Sequence, residues 1–196
     1  MAYLTPAELR TYLNVDASTD DALLTALIAA AQAAIEKRTH RDFEVSADTT
    51  HYFSMRHTDG LSLILDEDLC QITSLKTNLD NGSSGVTIPS TEYVTLPRNE
   101  TPYYALRLRA SSDYAWEYTD DPEDAISITG RWGYSVTPPT DIVMACRRLA
   151  AYYYRQRDAQ VFDTTAMPDA GVMLIPQGIP RDVDMMLEPY ILRVAR

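Results

Sequence analysis

The hydrophobic period changes twice along this 196-residue chain, and that change limits what it can fold into. Up to residue 42, and again from 138 onward, apolar residues recur at helical spacing; residues 43–137 alternate as strands do. Thr5-Pro6-Ala7-Glu8 supplies a capping threonine, a proline for the first helical position and a glutamate to close a capping box. That helix ends near Asn14. After the polar turn Asp16–Asp21, Thr19 or Asp20 is expected to cap a second helix. Its Leu24, Leu27, Ile28, Ala31 and Ile35 make one apolar stripe, and Lys37 and Arg38 suit its C-terminal end.

The middle stretch holds short runs rich in Thr, Tyr, Ile, Leu and Val: Thr49–Met55, Leu61–Leu65, Ile72–Thr77, Tyr93–Leu96, Tyr104–Leu108 and Ala125–Arg131. Turn residues separate several of them, among them Asp59-Gly60, Asn81–Gly85 and Asp120-Asp121-Pro122. Pro138-Pro139 stops the last run, and Thr140 or Asp141 caps a third helix with Ile142, Cys146, Leu149 and Tyr153 on one face. Pro180 can start a tail helix, and Pro189 should kink or restart it. The expected fold is α+β. A small helical bundle, formed by the N-terminal pair, the long helix and the tail helix (1–42 and 138–196), carries an inserted antiparallel sheet or small barrel (43–137).

Charge narrows the function. Residues 1–139 carry 10 basic and 21 acidic groups, which is the whole of the net −11; the remainder is neutral. So few cations cannot release the counterions that drive nucleic-acid binding, which argues against a DNA-binding protein. Acidity either keeps the chain in solution or makes a wall that repels passing phosphates. Thirteen Tyr against three Phe suit half-wet interfaces or sheet faces equally. The longest apolar run, Leu23–Ile35, is short of the roughly 20 residues a membrane span needs. Cys70 and Cys146 suggest no disulfide framework, and Cys146, mid-helix among apolar residues, reads as a buried thiol. The chain is expected to be soluble and made in a reducing compartment, with no membrane partner.

No catalytic signature emerges. Gly130–Tyr134 lacks the spacing of a phosphate loop, and His40, His51 and His57 have no paired-ligand spacing. Asp66-Glu67-Asp68 and Asp120–Asp124 lack the glycine and spacing of a calcium loop and read as solvated turns. No nucleophile elbow is present, and among 28 acids a pair suited to glycoside hydrolysis always exists somewhere, so it carries no signal. No catalytic residue, metal or cofactor is expected. On the third helix, Arg147, Arg148, Arg155 and Arg157 interleave with Tyr152–Tyr154 and suit a protein interface.

The stretch from Ala159 to Gly178 has no clear period yet holds Val161, Phe162, Met167, Val172, Met173, Leu174 and Ile175. Such a stretch is uncommon in a compact domain unless it has a job. It is read as an arm that packs on a neighbouring subunit, with folding back on its own core as the alternative. The tail face of Val183, Met186, Leu187, Tyr190 and Val194 likewise either completes the helical core or docks on a partner.

Three blocks in order carry a resemblance. LTPAELRTYLNVD with DDALLTALIAAAQAAIEKRTHRDF opens the chain; Ala125–Asp158 follows, with Gly130, Gly133 and Tyr134, then Pro138, then the Ile142, Ala145, Leu149 and Tyr153 helix; IPRDVDMMLEPYILRV closes it. Together they resemble the head–tail connector (adaptor, or head-completion) proteins of tailed bacteriophages. Larger members, including adaptors of gene transfer agents, carry a β insert between the helices. The resemblance implies a non-enzymatic virion neck protein, assembled in the host cytoplasm. Such proteins form a dodecameric ring under the portal, extend the DNA channel without gripping DNA, and offer a platform to stopper or tail-completion proteins. Another neck component, a stopper or tail-completion protein, is the second reading, and a carboxylate-based hydrolase a distant third.

By the same resemblance the C-terminal segment reaches the portal, which gives the docking role to Val183, Met186, Leu187, Tyr190, Ile191 and Arg193. Truncation after Gly178 would then abolish portal binding and leave the domain folded. Some of Asp66, Glu67, Asp68, Asp120, Asp121, Glu123 and Asp124 are expected to face the channel. Only lumen-facing groups would matter, since screening cuts off beyond about 8 Å at physiological salt.

Overall fold

The structure is a computed structural model that describes residues 3–15, 20–45, 47–79, 84–159, 165–167, 172–174 and 178–192. It divides into two compact units, residues 1–41 with 138–196, and residues 42–137.

The first unit is helical. α1 (Pro6–Leu13) starts with the capping box: Glu8 N–H donates to Thr5 Oγ1 (3.3 Å), and Thr5 N–H donates back to Glu8 Oε2 (2.8 Å). It stops at Asn14, which sits in the left-handed region at φ 57°. α2 (Asp21–Thr39) buries Leu24, Ile28, Ala31 and Ile35 and ends at the left-handed His40. Asp20 makes no side-chain capping bond; its carboxylate instead accepts from Tyr154 Oη at 3.1 Å. Thr19 lies outside the described residues. α3 (Thr140–Ala159) buries Ile142, Ala145, Cys146, Leu149 and Ala150. α1, α2 and α4 (Arg181–Leu187) all pack on it. A 3-10 turn, Glu188–Tyr190, follows α4 where Pro189 interrupts it. Cys146 is a free thiol whose pKa burial pushes up to about 12, so it behaves as a small apolar filler.

The second unit is a seven-stranded antiparallel sheet, open and not closed into a barrel. Its strands are β1 (Thr49–Phe53), β2 (Thr58–Asp59), β3 (Ser62–Thr77), β4 (Val86–Thr87), β5 (Tyr93–Leu96), β6 (Tyr103–Leu108) and β7 (Ile126–Trp132). The main order is β1-β7-β3-β6-β5, with β2 and β4 each paired to β3. The runs expected at Leu61–Leu65 and Ile72–Thr77 are one sixteen-residue strand. Asp66-Glu67-Asp68 is therefore not a turn, because the backbone stays extended through it. The register against β6 shifts between Ile64 and Leu69, opposite Ala105 and Tyr103, so Leu65–Asp68 forms a bulge. The core gathers Leu63, Leu69, Leu75, Leu106, Leu108, Ile126, Ile128 and Trp132. Two buried indoles are satisfied: Trp116 Nε1 donates to Leu61 O (3.0 Å) and Trp132 Nε1 to Thr49 O (3.2 Å).

Separately, β8 (Thr165–Met167) and β9 (Val172–Leu174) form a two-stranded ribbon that pairs with no other described strand.

Gly130 sits on the central strand β7, paired to Thr49 on one flank and Ile72 on the other. A Cβ there would collide with the Gln71 carbonyl oxygen, which belongs to backbone and cannot swing away. Gly130→Ala should therefore destabilise the sheet by about 1–3 kcal/mol, read as a shifted urea midpoint with unchanged slope.

Candidate functional site

Two surfaces collect the residues singled out by the sequence. The first is acidic and lies in the sheet unit. The β3 bulge carries Asp66 and Glu67, and the loop before β7 carries Asp120, Asp121, Glu123 and Asp124; all six are exposed, and Asp68 is half-buried. The two clusters are about fifty residues apart in sequence, yet both lie against the 3-10 turn Met55–His57. His57 Nε2 approaches Asp66 Oδ2 at 3.1 Å, and Arg56 pairs with Glu123 at 3.2 Å. Met55 N–H donates to Pro122 O at 2.9 Å, which fixes the loop to the turn, and Asp121 accepts from Glu123 N–H. Glu67 lies 3.7 Å from His51, whose ring stacks on Trp132 with centroids 4.1 Å apart. His51 and His57, which have no paired-ligand spacing in the sequence, thus each lie beside an acid of the β3 bulge. Nothing in their local spacing signals this; the signal is the bulge, which turns β3's acids toward them.

Among the described residues, no group of three or more His, Cys, Asp or Glu could hold a metal ion. Nor is any described helix long and apolar enough to cross a membrane.

The second surface is the tail of the helical unit. Val183 and Leu187 are wholly buried there and pack in this unit's own core, the first of the two readings of the tail face. Each contributes roughly 1.5–3 kcal/mol by that burial. α4 is also clamped by charge. Asp184 accepts from Arg38 Nε at 2.7 Å, and Asp182 pairs with Arg148. Leu192 N–H donates to Thr39 O at 2.9 Å. Truncation after Gly178 would strip out these contacts, so it would not leave the domain intact. Met186, Tyr190 and Ile191 are half-buried, Met185 is 65% exposed, and Arg193 lies outside the described residues.

Beside α4, a groove of about 210 Å³ is lined by Tyr12, Arg148, Tyr152, Arg155 and Pro180. Arg147 sits over the Tyr12 ring, 5.9 Å from its centroid. The side chain of Arg157 lies outside the described residues. Of the arm, Met167 falls in β8 and Val172, Met173 and Leu174 in β9, whereas Val161, Phe162 and Ile175 lie outside the described residues.

Leu187→Ala should cost about 2–5 kcal/mol in chemical denaturation, whereas Met185→Ala should stay within about 0.5 kcal/mol. Arg38 also holds the Asp184 carboxyl below its ordinary range through a hydrogen bond. A depressed carboxylate stabilises the fold above its unfolded pKa and loses that contribution as pH falls through the folded value. Below about pH 4, wild type should therefore lose more stability than Asp184→Asn, measured by thermal melting across the acid range.

Comparison with known proteins extends these observations. Over 98% of this chain and 92% of the other, the fold matches a chain from the neck of an empty gene transfer agent particle computed with C6 symmetry, at 21% identity and a TM-score of 0.60. A chain from the virion of a native gene transfer agent particle matches over the same shares at 22% identity and a TM-score of 0.59. No curated protein matches the chain. The head completion protein family matches residues 2–191, nearly the whole length, and the chain belongs to that family.

Proposed function

We propose that the chain is a structural, non-enzymatic component of a virion neck: a head–tail connector (adaptor) that forms a ring under the portal. The observation that carries this reading is the head completion family match across both units. The likeness of fold to a gene transfer agent neck chain supports it. In the ring, copies meet head to tail, so each subunit presents two different complementary surfaces. We propose twelve copies, a number compatible with sixfold averaging of a related neck; the proposed partners are the portal on one side and a stopper or tail-completion protein on the other.

The arm is the proposed subunit clip. A two-stranded ribbon is marginal in water by itself, and β8–β9 pairs with no other described strand. Seating it on a neighbouring copy would cover its apolar residues, Met167, Val172, Met173 and Leu174, with Val161, Phe162 and Ile175 of the same segment. Portal docking falls to the part of the tail not used by the core: Met186, Tyr190 and Ile191, with Arg193 beyond them. The acidic surface built on Met55–His57 is the proposed channel wall. Asp66, Glu67, Asp68, Asp120, Asp121, Glu123 and Asp124 would repel phosphates and let DNA slide. DNA passes without specific binding.

Co-expression with the portal of the same particle tests the reading. The wild-type chain should co-purify with the portal, and Met186→Glu with Ile191→Glu should lose the portal while keeping the wild-type circular dichroism spectrum. A folded chain that never co-purifies with the portal, or double-variant chains that bind it as well as wild type, would contradict the assignment. Co-purification with tail components alone would favour the stopper or tail-completion reading.

A further inference from the structure

The sheet unit holds a groove that the connector reading does not use. It arises from the way β3 changes partners. At Leu69 the strand pairs with Tyr103 of β6 on one flank and Trp132 of β7 on the other. At Lys76 it pairs with Thr87 of β4 on the first flank and Ser127 of β7 on the second. Between those points β7 continues alongside, but on the first flank Cys70–Ser74 has no strand partner among the described residues. A groove of about 470 Å³ lies there, lined by Gln71, Ile72, Tyr103, Arg98, Asn99 and Arg109.

Its charge is opposite to that of its surroundings. In a unit with 16 acidic and 6 basic groups, two arginines converge on one groove. No carboxylate pairs with either of them among the described residues. Arg109 is held in place, because its Nε donates to Thr91 O at 2.7 Å. A positioned guanidinium is suited to binding a carboxylate.

We propose that this groove binds an extended acidic segment of another polypeptide, which adds as a strand to the open flank of β3 and places its carboxylates on Arg98 and Arg109. The open backbone would supply main-chain hydrogen bonds, and the arginines would select acids on alternate positions of the incoming strand. Nucleic acid would satisfy the arginines but leave the β3 flank unpaired, so a peptide fits both halves of the site. The inference concerns the single subunit and stands whether or not a ring forms.

Fluorescence anisotropy on the full chain tests it with four labelled probes. These are a short peptide alternating Glu with Val, the same peptide with Lys for Glu, the acidic peptide with Pro for its central Val, and a short single-stranded DNA. The acidic peptide should bind, and the other three should bind at least about tenfold more weakly. Arg98→Glu with Arg109→Glu, both exposed positions checked by circular dichroism, should weaken the acidic peptide by about tenfold or more. Failure of the acidic peptide to bind wild type would overturn the proposal. So would equal binding by the Pro peptide, the Lys peptide or the DNA, or binding unchanged in the folded double variant.

Discussion

One strand organises the sheet unit. β3 runs unbroken from Ser62 to Thr77 and pairs with β2, β4, β6 and β7, so the sheet has no alternative backbone around which to form. Sixteen residues is long for a strand, and long strands must twist and bend. The bulge at Leu65–Asp68 takes up that bend and carries the acids out to His51 and His57. Further along, the exchange of β6 for β4 leaves an open flank under the arginine groove. The acidic surface and the groove are thus both consequences of how one strand shares its hydrogen bonds. Gly130 permits the arrangement by letting β7 press against the Gln71 carbonyl.

Much of the helical unit was legible because its signals are local. Thr5 and Glu8 form the capping box their spacing implies, and the stripe on α2 is buried apart from the half-buried Leu27. Pro189 ends α4 as an imino acid must. What periodicity could not show is which surface an apolar stripe covers. Val183 and Leu187 have the same spacing whether they fill their own bundle or a partner's groove, and only burial reveals the first. Asp20 stands at the N-cap of α2 as its position implies, but its carboxylate accepts from Tyr154, 134 residues away in sequence, instead of from the helix backbone.

The sheet was legible as a sheet but not as a topology. Asp66-Glu67-Asp68 is polar enough to read as a turn, and nothing local distinguishes a turn from a bulge whose neighbours on both sides are paired. The very short β2 and β4 have too few residues to show a period at all. The meeting of Asp66 with Glu123 through Arg56 and His57 is a tertiary fact with no trace in spacing. Tyrosine count alone does not fix position: Tyr3 and Tyr93 are buried while Tyr12, Tyr52, Tyr104 and Tyr118 are exposed.

These features suit a part that is held in an assembly. Asp66, Glu67 and Glu123 have basic neighbours on or near one turn, and the tail helix is anchored by buried Val183 and Leu187 with exposed ion pairs beside them. Electron cryomicroscopy of the particle neck tests that account most directly. It predicts a ring of this fold directly beneath the portal, with the Met55–His57 turn and its acids lining the lumen. Mature, infectious particles whose neck density contains no copy of the chain would contradict it.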